Sequence, residues 1–192
     1  MASLLDVLGA TVIGGFVIFM LIQLNARIMT SSSDLLAGTI TQRNAAISAQ
    51  IIEHYVYKVG YKSTSNKISI ADSNKIKFHG DIDNDSVVDT VEFYSDTQND
   101  LDETENPNDF GLYRKENNGA ALITAVVSQF KLTYYDSLGK KLNYALLSNQ
   151  SIRDKIRSIG FLIEFESPFP VDSSYQGVSW KRTITPKNIS SL

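Results

Sequence analysis

The chain contains no cysteine, so thiol nucleophiles, disulfides and thiolate metal ligands are excluded from the outset. Histidine is nearly absent too: His54 and His79 are the two present, and they stand far apart in sequence. His54, beside Glu53 in a helical pattern, reads as a surface or packing residue rather than an acid–base group. Excess positive charge is also missing. Lys plus Arg total 18 against 21 acids, a net charge of -3 over 192 residues. No general attraction to nucleic acid or anionic lipid follows from that balance. Lys140-Lys141 and Lys181-Arg182 are short pairs without interleaved aromatics, which argues against a nucleic-acid partner. The serine-rich stretches hold no nucleophile elbow, Gly111 and Gly119 form no phosphate loop, and no internal repeat is evident. Glu164 and Glu166 share one face of a strand. Paired carboxylates can cleave glycosides, but a pair so placed is ordinarily the wet side of a sheet. The expectation is a chain that is not an enzyme.

What is present begins with an apolar run, Val7 to Leu24, in which Gln23 is the one strongly polar side chain. Its length is near the lower limit for crossing a bilayer as a helix. The preceding segment has no Lys or Arg and carries Asp6, and no small-x-small box ends the run, so an uncleaved anchor is expected rather than a signal peptide. The other reading is a buried helix of a soluble domain. Ala10 and Gly14 lie one turn apart, with Gly9 and Gly15 nearby, and small residues so spaced let another helix approach closely. Arg27 can reach the headgroups beyond the run.

A second helical pattern runs from Asp34 to about Val59. Leu36, Ile40, Ile47, Ile51 and Tyr55 make an apolar stripe, Ala45 and Ala49 a slimmer side, and Gly60 a stop. The two helical stretches either join or break at Met29 to Ser33. The period then changes to that of strands: 67–70, 75–78, 87–94, 111–114, a long stretch over 120–135, 161–166 and 180–184, with a short helix possible over 151–159. The fold class expected is α+β: a long N-terminal helix, residues 1–59, packed on an antiparallel β-sheet head, residues 60–192.

The sharpest chemical signal is the stretch Asp81 to Glu92. Counting from Asp81, the acids Asp81, Asp83, Asp85, Asp89 and Glu92 fall at positions 1, 3, 5, 9 and 12, and Val87 falls where such loops lend a carbonyl. That is the spacing of a calcium loop, in which oxygens converge on a hard cation. Ser86 stands where glycine is usual, and the flanks read as strands rather than paired helices. The other reading is a solvated hairpin turn, since Asp and Asn favour turns. The stretch from Asp96 to Asp109 is rich in acids without motif spacing and is expected to be an exposed loop.

The apolar run flowing into an amphipathic helix, then FHGDIDNDSVVDTVEFY at Phe78 to Tyr94, GLYRKENNG at Gly111 to Gly119, VVSQFKLTYYDSLGKKL at Val126 to Leu142 and SIRDKIRSIGFLIEFESP at Ser151 to Pro168, together resemble a type IV pilin-like protein of the minor pilin or type II secretion pseudopilin group. The start departs from that pattern. Gly15-Phe16 fits the usual cut, but Met20 stands where the family has glutamate, and no basic leader precedes it. The resemblance implies a structural subunit of a pilus or pseudopilus-like filament. Its partners would be copies of itself or related pilin-like subunits, joined through the N-terminal helix, and the inner-membrane assembly machinery. It further implies a single pass through a bacterial inner membrane, with the head in the periplasm or outside. Asp6 before the run and Arg27 after it favour the reverse orientation, while a calcium loop suits the outer side. The alternatives are an anchored subunit of a non-filament envelope complex and a calcium-dependent binding module.

Overall fold

A computed structural model describes residues 3–64, 66–101, 104–170 and 173–189. One helix, α1, occupies Leu4–Tyr57 without interruption. It starts on a reciprocal cap: the Asp6 amide donates to Ser3 Oγ at 3.3 Å, and the Ser3 amide donates to Asp6 Oδ2 at 3.0 Å. The serines at 31–33 do not break it, and Asp34 caps no new start. At 1.5 Å per residue the rod is about 80 Å long. It ends where Gly60 turns left-handed at φ 76° and donates its amide to the His79 carbonyl at 2.8 Å.

The strands form two antiparallel sheets. The first is a meander in the order β1 (Ile68–Ala71), β2 (Lys75–Gly80), β3 (Asp89–Asp100), β4 (Phe110–Glu116) and β5 (Leu122–Val127). The second holds β6 (Gln129–Tyr135), β7 (Ser158–Glu166) and β8 (Gly177–Ile184). A one-turn helix, α2 (Gln150–Arg153), precedes β7. The long strand expected over 120–135 is therefore two strands in different sheets. The chain leaves one sheet and enters the other at Ser128, whose amide donates to the Glu164 carbonyl at 2.9 Å. Strand β3 also runs further than its hydrophobic alternation suggested, to Asp100, so the expected loop over 96–109 begins as sheet.

Alternation along the strands sends Ile76, Phe78, Val91 and Phe93 from one sheet, and Leu132, Tyr134, Phe161 and Ile163 from the other, into one core with Ile52 and Val56 of the helix and Val59 of the turn after it. The sheets are stitched by the Leu132 amide, which donates to the Ser73 carbonyl at 2.7 Å, and by the Tyr134 hydroxyl, which donates to the Asp72 carbonyl at 3.0 Å.

The face that α1 gives to the head is the slim one. Ala37, Thr41, Ala45, Ser48, Ala49, Ile52 and Val56 are buried. The bulky stripe is not: Leu36 is 60% exposed, Ile40 48% and Ile47 46%, with Ile51 and Tyr55 half-buried. Small side chains let the sheets approach the helix backbone, and the large ones are left to solvent or to another molecule. Upstream, the apolar run is 0% buried by the protein's own fold, so it is not the core helix of a soluble domain. By length and composition it is a helix able to cross a membrane.

Candidate metal centre at the β2–β3 hairpin

Strands β2 and β3 pair from Lys75 opposite Tyr94 to Gly80 opposite Asp89, so residues 81–88 form the connecting loop. Gly80 permits it to sit against the end of α1: a Cβ there would lie 2.3 Å from the Lys58 carbonyl oxygen. The Asp81 amide donates to the Tyr61 carbonyl at 2.9 Å, and the Lys58 ammonium donates to the Ile82 carbonyl. The loop is thereby tied to the helix stop on both sides of Asp81.

Inside the loop the acids shape the backbone before they can bind anything. Asp83 Oδ1 accepts the Asp85 amide at 3.1 Å, and Asp85 Oδ1 accepts the Val87 amide at 2.7 Å. These are Asx turns, the habitual work of Asp in loops. Asn84 and Ser86 are left-handed, at φ 66° and 74°. Ser86, standing where glycine is usual, does make the turn and bears the strain of a Cβ there. Asp89, on the first residue of β3, accepts the Ile82 amide at 2.9 Å on one oxygen and the Asn117 side-chain amide at 2.8 Å on the other.

The structure brings Asp81, Asp83 and Asp89 together, one carboxylate oxygen of each lying within 4.8 Å of the others. Asp81 is the buried member. Its Oδ2 accepts the Lys62 ammonium at 2.6 Å and the Ser86 amide at 3.1 Å, while its Oδ1 is buried with no hydrogen-bond partner. An orphaned buried carboxylate oxygen is costly, and three carboxylates this close are an arrangement a divalent cation relieves. An all-oxygen set suits a hard ion. Lys62 holds the Asp81 carboxyl below its ordinary range, chiefly by hydrogen bond, against the opposing push of burial.

The other two expected acids stand elsewhere. Asp85 accepts the Val87 amide on one oxygen and lies outside the cluster. Val87 is exposed. Glu92, on β3, pairs with Lys75 at 2.5 Å and with Lys77 at 3.8 Å. His79 lies just before the loop, with Nδ1 3.1 Å from Thr90 Oγ1; burial pushes its imidazole toward the neutral form. Acid spacing pointed to the three clustered aspartates and equally to Asp85 and Glu92, which lie outside the cluster. Nothing local pointed to Lys62, which reaches Asp81 because the chain doubles back after Gly60. Glu164 and Glu166 are held by neighbouring amides: Glu166 accepts Asn106 at 2.9 Å and Asn108 at 3.1 Å, and Gln129, turned with its nitrogen toward Glu164, donates at 3.1 Å.

Comparison with protein-family models, with curated proteins and with solved structures finds no match. The long apolar N-terminal helix packed against an antiparallel head is consistent with a pilin-like fold in general.

Proposed function

We propose that this chain is a non-enzymatic structural subunit of a pilus or pseudopilus-like filament, anchored by α1, with its head stiffened by calcium at Asp81, Asp83 and Asp89. The supporting observation is the exposed side of α1. Ile18, Met29, Ile40 and Ile51 recur every eleven residues, with Leu36 and Ile47 beside them, so one large-residue stripe runs from the apolar run to the head. A period of eleven drifts only slightly around a straight helix, with a right-handed sense. Such a stripe is covered in water only by another molecule. Copies stacked along it make a heterologous contact that does not close, which grows a filament.

Calcium fits the loop better than magnesium. Its flexible shell accepts three carboxylates plus carbonyl and water oxygens, where magnesium demands near-ideal octahedral geometry. A loosely built site suits the millimolar calcium outside the cytoplasm, which favours an outward head.

Electron microscopy of native material tests the filament reading. Helically repeated copies with central anchor helices are expected, whereas single copies inside a larger membrane assembly would favour the non-filament envelope complex. Calorimetric titration with calcium and with magnesium tests the loop. Calcium heat and a calcium-dependent rise in melting temperature are expected, and absence of both would leave only a hairpin turn.

A further inference from the structure

The outward face of the β6–β7–β8 sheet is electrostatically divided. In cross-strand register, Lys131 faces Leu162 and Leu162 faces Lys181; the next row is Thr133, Gly160 and Thr183. Gly160 has no side chain to fill the middle, and a Cβ there would meet the Tyr135 ring at 3.2 Å. The result is a groove of about 260 Å³ edged by Lys131, Lys181 and Lys141 and lined by no carboxylate. Neighbouring Arg182 is turned to Glu53 of α1, at 2.7 and 2.8 Å, so its charge is answered. The three lysines make no ion pair among the described residues. Lys141 has the Tyr144 ring 5.6 Å away, but no carboxylate of the described residues answers the group, a local exception in a chain with net charge -3.

The other end of the same face is acidic. Glu164 and Glu166 follow Leu162 at alternate positions of β7, so they lie on the same side, Glu166 about 13 Å further along at 3.3 Å per residue. Asn106 and Asn108 bind Glu166, and the Glu105 carbonyl accepts the Tyr175 hydroxyl at 3.1 Å, which fastens the β3–β4 connection to this end. That connection, residues 101–109, carries Asp102, Glu103, Glu105 and Asp109 and no Lys or Arg. Glu105 is exposed.

We infer that the basic groove at Lys131, Lys141 and Lys181 receives the acidic β3–β4 connection of a second copy of this chain. The inference rests on the filament reading, because it needs heads of neighbouring copies side by side. Donor and acceptor lie at opposite ends of one face and differ in shape and sign. A two-fold pairing would let one partner answer both ends and would close as a dimer; the filament reading requires instead the head-to-tail contact, in which each groove takes the connection of the next copy and the contact repeats. Lys131 and Lys181 stand two strand spacings apart, about 10 Å, close to the screening length at 0.1 M salt. Their mutual repulsion is small, and carboxylates placed between them interact with both. Orientation and register are the expected contribution of such a contact.

The absence of native cysteine makes the test clean. In full-length protein in its native membrane, Lys181→Cys and Glu105→Cys in the same chain, treated with a short bismaleimide, are expected to give a ladder of dimer, trimer and higher adducts. Co-expressed single variants should give dimer only, and each single variant alone should give none. Adding Lys131→Glu and Lys141→Glu should cut the ladder several-fold, as should raising salt from about 0.05 to 0.5 M. Adducts of Lys181→Cys with itself, or with chains other than this one, overturn the inference and reassign the groove. Ile40→Cys, on the exposed stripe of α1, separates the two readings. If it crosslinks between copies while the head pair does not, the groove inference fails and the filament stands. If neither crosslinks, the filament reading fails and the inference falls with it.

Discussion

Ile47 and Ala49 stand two residues apart on one helix and meet opposite fates. Ala49 is 0% exposed beneath the head, whereas the larger and more apolar Ile47 is 46% exposed. Hydrophobicity alone would reverse them. What decides is shape: the sheets close over the side of α1 where Ala37, Thr41, Ala45 and Ala49 keep the surface low, because dense packing needs near contact along the whole length. The comparison separates two properties. The slim side governs whether the head is stable, and the bulky side governs what the head is attached to.

The largest effect expected is on the slim side. Ala49→Phe inserts a ring where the sheets already touch the helix, and it should destabilise the head by about 3 kcal/mol or more. Ile47→Ala should change stability by no more than about 0.5 kcal/mol, as an exposed truncation, yet reduce assembly. Denaturant melts of the full chain in detergent, beside crosslinking in membranes, measure both. If Ile47→Ala melts the head and Ala49→Phe does not, the two sides have been assigned backwards.

A smaller effect belongs to the head alone. Lys62→Met removes the ammonium from Asp81 and leaves three carboxylates uncompensated. Without calcium the melting temperature should fall; with calcium it should recover, and the calcium-induced rise should exceed that of the unaltered chain. An unchanged calcium response would show that the ion does not contact Asp81. Assembly through the bulky side should survive once calcium is restored.

The acid limb of stability should follow from the same pair. Lys62 lowers the folded pKa of Asp81 from its ordinary 3.8, so the stabilisation is fully present above that value. It is lost as pH falls through the folded pKa, because the unfolded chain then binds the proton more readily. Melting temperature should therefore drop below about pH 3.8, and the drop should be shallower in Lys62→Met. Thermal melts across pH 2 to 6 check this.

The smallest effect expected is a gain. Ser86 is held at φ 74°, and Ser86→Gly should relieve up to about 1 kcal/mol of left-handed strain. It should leave the bulky side untouched, so crosslinking through Ile40→Cys should not change.

Much of this was legible in the residues. The apolar run, the helix stop at Gly60 and the alternating strands follow from period, and the clustered aspartates from spacing. The split of 120–135 between two sheets was not legible, since Ser128 looks like any polar residue in a strand and only its bond to Glu164 shows the crossing. The choice of buried helix side was hidden for a related reason. Both sides are apolar, and which one faces the head depends on the height of the opposing sheets, a property of residues more than sixty positions away. Lys62 was unannounced because its partner is brought near by the return of the chain.

One feature of α1 has mechanical consequences. It runs from Leu4 to Tyr57 with no proline and no break. A rod about 80 Å long behaves as a lever pivoting in the bilayer. Tilting it by about 20°, the usual inclination of a membrane helix, about the middle of the apolar run carries its far end sideways by roughly 21 Å. Small adjustments in the membrane thus become large excursions of the head, and a pull on the head returns to the membrane as torque.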